Sequence, residues 1–508
     1  MYINEKILIG KNENFEANIL LNMANRHGLI TGASGSGKTI TLKVLAESFS
    51  DAGVPVFLAD VKGDLSATAQ PGEANENIIS RLQKLNIENN FEFKEFPVRF
   101  WDIYGNHGHP IKATIDKIGP AILSIMLGLS EAQEGMLTIA FKIAEDENLE
   151  LKDLKDLRLL LQYVADNSKN YITKYGNITS QSIGVIQRSL LTLEQQGADK
   201  FFKEPSLDIN DLINFDATTK KGTINILHAV ELFNSPDLYA SFLLWILTTL
   251  FQQLQEVGDL NKPKIVFFFD EAHLLFNGMP QYRLKQITQI VKLIRSRGIG
   301  LYFISQGPTD IPDDILAQLG NRIQHTLRAY TPSEQKVIKA AADSFRTNKN
   351  FNTTEAIMSL GTGEALVSFQ NEKGEPEIVE KVTILPPQSK MGVIDEMTRN
   401  KIINNSPICG KYETEIDNES AYEKLTEKYE TIEKEKQEEK ERIEEEKRLK
   451  EEEKQIEKLK RQEEKEKREK ERERKNSIEY KLGKKVANKT ADKLINKGLN
   501  SIFKKIFK

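Results

Sequence analysis

Eight consecutive residues, GASGSGKT at 32–39, constrain this chain more than any other stretch. They fit G-x-x-x-x-G-K-[ST], the pattern of a phosphate-binding loop. The flanks agree with that reading. Residues 27–30 are short and apolar and predict a strand running into the loop. Residues 40–49 place Leu42, Leu45, Ala46 and Phe49 on one face of a helix leading out of it. Glycines at 32, 35 and 37 let successive N–H groups turn toward one anion without Cβ clashes, and the helix adds the positive end of its dipole. Gly32, Ala33, Ser34, Gly35, Ser36, Gly37, Lys38, Thr39 and Ile40 are therefore expected to hold a nucleotide. In this arrangement Lys38 meets the β- and γ-phosphates, and Thr39 offers its hydroxyl to Mg2+.

The next apolar run, residues 54–60, follows Gly53 and ends in Asp60. Strand, loop, helix and strand make a βαβ unit, so the fold class is α/β with a mainly parallel sheet. Ligands of such sheets bind at the carboxyl ends of the strands, which makes Asp60 a candidate for holding a water or orienting Lys38. A simple turn residue is the other reading of Asp60. Residues 265–269 (IVFFF) form a continuous apolar run, the mark of a strand buried on both faces. Asp270 and Glu271 follow directly. Asp270 is positioned to hold the Mg2+ water shell across from Thr39, and Glu271 to polarise a water attacking the γ-phosphate. Residues 300–305 predict another buried strand, and Gln306 at its end can touch the γ-phosphate or the attacking water. Phosphoryl transfer also gains from a cation on the transition state. Arg26, Arg295, Arg297 and Arg322 lie near strand or helix ends, with Arg295 and Arg322 favoured.

Between these motifs, residues 115–202 read as helix without a break. The expected organisation is an ATPase half at 1–114, a helical insertion at 115–205, the second half at 206–400, a charged helix or linker at 413–475 and a basic tail at 476–508. The spacing predicts strands over 93–101, 223–228, 322–328, 365–369 and 378–385, and helices over 236–255, 284–296 and 311–319. His107 and His109 form an H-x-H pair with no third metal ligand evident. The net charge of −4 excludes little, because the charge is unevenly placed. Residues 433–475 hold 18 acidic and 18 basic side chains, many at i,i+3 and i,i+4. Ile443, Leu449, Ile456 and Leu459 are too sparse for a sustained heptad seam, so a solitary solvated helix is favoured over a coiled coil or disorder. The tail has nine lysines and apolar residues at helical spacing. That pattern suits an acidic membrane surface, nucleic acid, a partner protein or the protein's own body. One cysteine, Cys409, rules out an intrachain disulfide framework. With no leader segment and no spanning run in evidence, a cytoplasmic protein is expected.

Taken together, the stretches at 24–39, 57–65, 107–120, 267–276 and 294–332 and the basic tail resemble the HerA/FtsK group of P-loop ATPases, in particular the bacterial HerA-like helicases once grouped as DUF853. The resemblance covers about residues 1–400 and continues loosely to the end. It implies a RecA-like fold with an added strand between the two nucleotide motifs. It also implies an ATP- and Mg2+-dependent homo-oligomeric ring, usually of six, with nucleotide between subunits and DNA as the substrate. By position, Lys38 and Thr39 match the Walker A pair, Asp270 and Glu271 the Walker B pair, Gln306 the sensor glutamine and Arg295 a sensing arginine. Arg26 matches an upstream arginine that reaches a neighbouring subunit. Archaeal members dock a nuclease through a β-barrel ahead of Walker A. The 31 residues before Gly32 are too few for one, which argues against a nuclease partner. Two functions compete: an ATP-driven DNA motor, and an ATPase switch or scaffold whose basic tail binds membrane or protein.

Overall fold

The computed structural model describes residues 1–490 apart from Gly278, Ile478 and Tyr480. The described strands are β1 (Tyr2–Ile3), β2 (Lys6–Lys11), β3 (Glu16–Leu20), β4 (Gly28–Thr31), β5 (Val56–Asp60), β6 (Val98–Asp102), β7 (His109–Pro110), β8 (Ile224–His228), β9 (Ile265–Phe269), β10 (Ile299–Ser305), β11 (Asn321–Gln324), β12 (Glu364–Ser368) and β13 (Glu380–Ile384). They join in one sheet of order β1-β2-β13-β12-β11-β4-β10-β9-β5-β8-β6-β7, with β3 on β2. From β11 to β7 every pairing is parallel, and β12, β13 and the N-terminal strands add antiparallel. The strand carrying Gln306, β10, lies between the strands of the two nucleotide motifs, β4 and β9. This is the RecA-like arrangement with an added strand.

Strand β9 shows why the centre of the sheet is fixed. Ile265, Phe267 and Phe269 enter the core on one face, and Val266 and Phe268 enter the core on the other. A register slip would exchange the two sets, so the pairing is strongly specified. Helix α1 (Lys38–Asp51) covers the second face, with Phe49 6.3 Å from Phe268 and 5.8 Å from Tyr302 between ring centres. Gly28 on β4 lies over Tyr302, where an added Cβ would come within 2.3 Å of the ring. Helix α2 (Glu76–Leu85) follows β5.

Between β7 and β8 the chain is helical. It forms α3 (Ile115–Met126), α4 (Glu131–Asp146), α5 (Leu154–Asp166), α6 (Ser168–Tyr175), α7 (Ser180–Gln195) and α8 (Ala198–Phe201). Gly119 and Pro120 bend α3. Asp153 caps α5 by accepting from the N–H groups of Lys155 and Asp156. The apolar sides of these helices share one core with the first face of the sheet and with α9 (Pro236–Gln253), which is apolar nearly all round and buried accordingly.

Several elements depart from the sequence reading. The strand at 93–101 is confined to β6, because Pro97 lacks the N–H that a ladder needs. The helix expected over 284–296 is α10 (Gln281–Ile294), closed by a 3-10 turn. The helix at 311–319 reduces to α11 (Asp313–Leu316). The strand at 322–328 ends at Gln324, where His325 and Thr326 turn to the phosphate loop. Two helices, α12 (Pro332–Asp343) and α13 (Thr353–Ser359), fill the stretch between the strands expected at 322–328 and 365–369. Thr331, Pro332 and Glu334 did announce α12, as a capping box with proline at N1. The folded body also continues past residue 400. After α14 (Glu396–Asn404), Ile408, Tyr412, Ala421 and Leu425 join the core, and the compact unit runs from Met1 to Leu425.

The second unit, from Thr426, contains most of α15 (Ala421–Asn476). Pairs such as Lys450–Glu446 at 2.6 Å and Arg461–Glu457 at 2.8 Å support it at i,i+4. Ile443, Leu449, Ile456 and Leu459 are exposed. Most of the basic tail expected at 476–508 lies outside the described residues. Among the described residues no helix is long and apolar enough to cross a membrane.

Candidate active site

The loop between β4 and α1 has the backbone that its glycines permit. Gly35 and Gly37 take φ of 74° and 113°, values that strain a side chain bearing a Cβ. Ala33 N donates to Thr326 O at 2.9 Å and Ser36 N to Ala33 O at 3.2 Å. The Lys38 ammonium folds back and donates to Gly32 O at 2.5 Å and Ala33 O at 3.2 Å. The buried Ser36 hydroxyl has no protein partner. Over the loop lies an open cleft of about 530 Å³, lined by Lys38, Thr39, Ile40, Lys43, Lys62 and Asp64 among others. A phosphate chain in that cleft would meet the Lys38 side chain and the loop at Gly35 and Gly37.

Strand register brings the second motif to the same edge. Ser305 is level with Thr31, and Phe303 with Phe269. Gln306, Asp270 and Glu271 therefore leave the sheet where the loop begins. The charges of Glu271 and Asp270 both act on Lys38, against the burial that lowers its pKa. Burial, with Glu271 adding repulsion, pushes the Asp270 carboxyl up to about 6. An ionised Asp270 is thus costly until a cation arrives, which suits a metal-holding role beside Thr39. Tyr239 donates its hydroxyl to Asp270 O at 2.9 Å, and Glu271 N donates to Asp270 Oδ1 at 2.9 Å. Glu271 sits in the left-handed region at φ 49°, a conformation costing about 1–3 kcal/mol for such a residue. Its Oε2 is buried without a hydrogen bond, 3.5 Å from His273 Nδ1. A water delivered there would have an acceptor waiting.

Asp60 and Arg322 are engaged within their own chain, and Arg26 and Arg295 lie away from this chain's own phosphate loop. Asp60 is buried in a turn, where its carboxylate accepts from Gly63 N at 2.7 Å and Leu65 N at 3.0 Å. What that turn presents is Lys62, whose charge acts on both Lys38 and Asp270. Arg322 is committed to its own chain, donating to Leu319 O at 3.1 Å, Ser344 O at 2.8 Å and Leu316 O at 3.1 Å. Arg26 and Arg295 precede β4 and β10, so they lie at the amino edge of the sheet. Seven residues of β10 at about 3.3 Å each separate that edge from the loop, so neither arginine reaches this chain's own phosphate site. The H-x-H pair is also accounted for. His109 Nδ1 meets Glu413 Oε1 at 2.5 Å, and His107 lies 4.4 Å from His228, ring to ring. Among the described residues no group of three metal-ligating side chains forms.

Three positioning residues escaped the sequence reading. His325 donates its backbone N–H to Thr31 O at 2.7 Å, and its ring bridges Thr41 Oγ1 at 2.8 Å and Glu364 O at 3.0 Å. Burial lowers its pKa to about 4, so the ring is neutral beneath the loop. Asp310 accepts from Ser305 Oγ at 2.6 Å and Gly307 N at 2.8 Å, fixing the turn that carries Gln306. Gly363 N donates to Ser36 O at 3.2 Å and ties a distant loop to the phosphate loop. His325 and Gly363 depend on long-range pairing, whereas Asp310, three residues after Gly307, left a local signal as a turn cap.

The model of the family described as "Helicase HerA-like C-terminal" matches residues 5–505. The DNA double-strand break repair helicase HerA of Sulfolobus acidocaldarius is 24% identical over 367 residues, 71% of this chain and 66% of that protein. The protein of the same description from Saccharolobus solfataricus is 24% identical over 408 residues, 79% of this chain and 69% of that one. The chain thus spans about two thirds of the length of these curated relatives. Among solved structures, the plasmid coupling protein TrwB in complex with a non-hydrolysable GTP analogue aligns at TM-score 0.49 and 12% identity, covering 77% of this chain and 91% of that one. The fold assignment rests on the strand order described above. With the family model matching nearly end to end, the chain belongs to the helicase HerA-like C-terminal family.

Proposed function

We propose that this chain is an ATP-driven DNA translocase or helicase of the HerA/FtsK type, acting in the cytoplasm as a homo-oligomeric ring. The observation that carries the reading is the convergence of Lys38, Asp270, Glu271 and Gln306 on one edge of the sheet, around the loop. In this reading Lys38 leaves the carbonyls of Gly32 and Ala33 and moves to the β- and γ-phosphates of ATP. Thr39 and Asp270 would hold Mg2+, which supplies positive charge to the phosphate oxygens when bound. Glu271 accepts the proton of the attacking water, and Gln306 meets the γ-phosphate side of the site. Arg26 and Arg295, at the opposite edge, would serve a neighbouring subunit's nucleotide, which is why a ring is part of the proposal.

The test is steady-state ATP turnover with and without duplex DNA. Turnover is expected to rise on adding DNA and to disappear in Lys38→Ala. Turnover indifferent to both duplex and single-stranded DNA would remove the motor from the reading, and an active Lys38→Ala protein would remove the site.

A further inference from the structure

The order of strands gives the phosphate loop two unlike flanks. On one side of β4 stand β10 and β9, whose ends carry Gln306, Asp270 and Glu271. On the other stand β11, β12 and β13. A nucleotide whose terminal phosphate faces the first flank can extend its nucleoside toward the second. A cavity of about 660 Å³ opens there, beginning at Gly37 and Ile40 of the loop and helix α1. That volume is in the range of small-molecule sites.

Three separate segments build its walls. Helix α2 supplies Asn77, Ile78 and Arg81, the loop before β12 supplies residues 361–363, and the segment after β13 supplies Pro386, Pro387 and Met391. Each is held in place. Arg81 donates to Thr362 O at 3.1 Å and to Ile384 O at 3.4 Å, which fixes its guanidinium at the cavity. Gly363 makes that approach possible, since an added Cβ would stand 2.2 Å from Arg81 Nη1. The segment after β13 is bound to α1 itself. The buried Glu47 carboxylate accepts from Gln388 N at 2.8 Å, Ser389 N at 3.1 Å and Ser389 Oγ at 2.5 Å, and the buried Lys43 ammonium donates to Lys390 O. Two charged groups are thus taken out of water on the nucleotide helix to hold a strap whose end, Met391, stays exposed at the cavity mouth.

From this we infer that the cavity between α2, residues 361–363 and the strap at 386–391 receives the base and ribose of the nucleotide, with Arg81 and the apolar Ile78, Pro387 and Met391 against the base. The inference rests on the phosphate-site reading above. A pinned guanidinium is a flat cationic partner for an aromatic base, and proline and methionine give it apolar contact.

Titration of the full chain with ADP and with inorganic pyrophosphate, both with Mg2+, separates the two claims. Arg81→Ala and Asn77→Trp are the test variants. The second fills the cavity from an exposed helix position and removes no hydrogen bond that holds the loops. Each is expected to raise the Kd for ADP about tenfold, the scale of one good contact, and to leave pyrophosphate within twofold. ADP affinity unchanged in both variants would overturn the nucleoside site. So would equal weakening of ADP and pyrophosphate, which would make Arg81 and α2 mere supports of the loop. Lys38→Ala should weaken both ligands. If it weakens neither, the phosphate-site reading itself fails, while a loss confined to ADP in the other two variants would still locate the nucleoside.

Discussion

On helix α1 and at the carboxyl edge of the sheet, Lys43, Glu47 and Asp270 are ionisable groups largely withdrawn from water. From residue 433 to 476, almost every side chain is charged and each described residue is exposed. The first region uses few charges under strong desolvation, so each must have a partner or a ligand in prospect. The second uses many charges that water already satisfies, so each pair adds little and only their number sustains the helix. Charge content alone therefore says nothing about function, whereas charge held away from water marks where the chemistry is.

Substitutions at the two regions should differ by orders of magnitude. Glu271→Gln keeps the shape and removes the proton acceptor. ATP turnover should fall at least about 100-fold while nucleotide binding persists, read by steady-state kinetics beside a binding titration. Glu47→Ala leaves Lys43 buried without its carboxylate and frees the strap, and should cost about 3–5 kcal/mol in a denaturant titration.

Asp270→Asn has the opposite sign. The folded carboxyl has its pKa raised to about 6 from the ordinary 3.8, so the folded state binds the proton more tightly than the unfolded chain. Stability is therefore lost as pH rises from about 4 to about 6 and stays lost above. The asparagine variant should be more stable than the parent at pH 8 by about 1–3 kcal/mol without nucleotide, and the gain should vanish near pH 4. Thermal melts at the two pH values check this. Arg322→Ala strands three carbonyls and should cost about 2 kcal/mol, without the loss of turnover expected of a phosphate-binding arginine. Smallest of all, Lys450→Ala should leave the melting of the folded body unchanged, and added salt should lower the helicity of a peptide covering 426–476.

The sequence was most readable where structure is local. GASGSGKT needs only its neighbours to become a loop, and IVFFF followed by Asp-Glu needs only a buried strand. Asp60 was legible as a strand end, and the amides that take up its carboxylate, Gly63 and Leu65, stand three and five residues on, the local turn that was its other reading. His325 was out of reach, since its role comes from the pairing of β11 with β4. The arginines carry a different lesson. Arg26 and Arg295 precede strands of a parallel sheet, and ligands of such sheets bind where strands finish, so chain order alone already assigned both to the far edge. Helix α12 was legible as well, through its capping box at Thr331 and Glu334 with Pro332 at the first turn.

Val337 of α12 abuts Gly307, close enough that even a methyl group there would come within 2.8 Å of its Cγ1. The turn beneath, with Asp310 clasping Ser305 and Gly307, has no slack. A displacement of α12 toward this turn would therefore meet the backbone that carries Gln306, and a Gly307→Ala side chain would crowd Val337 and shift that turn.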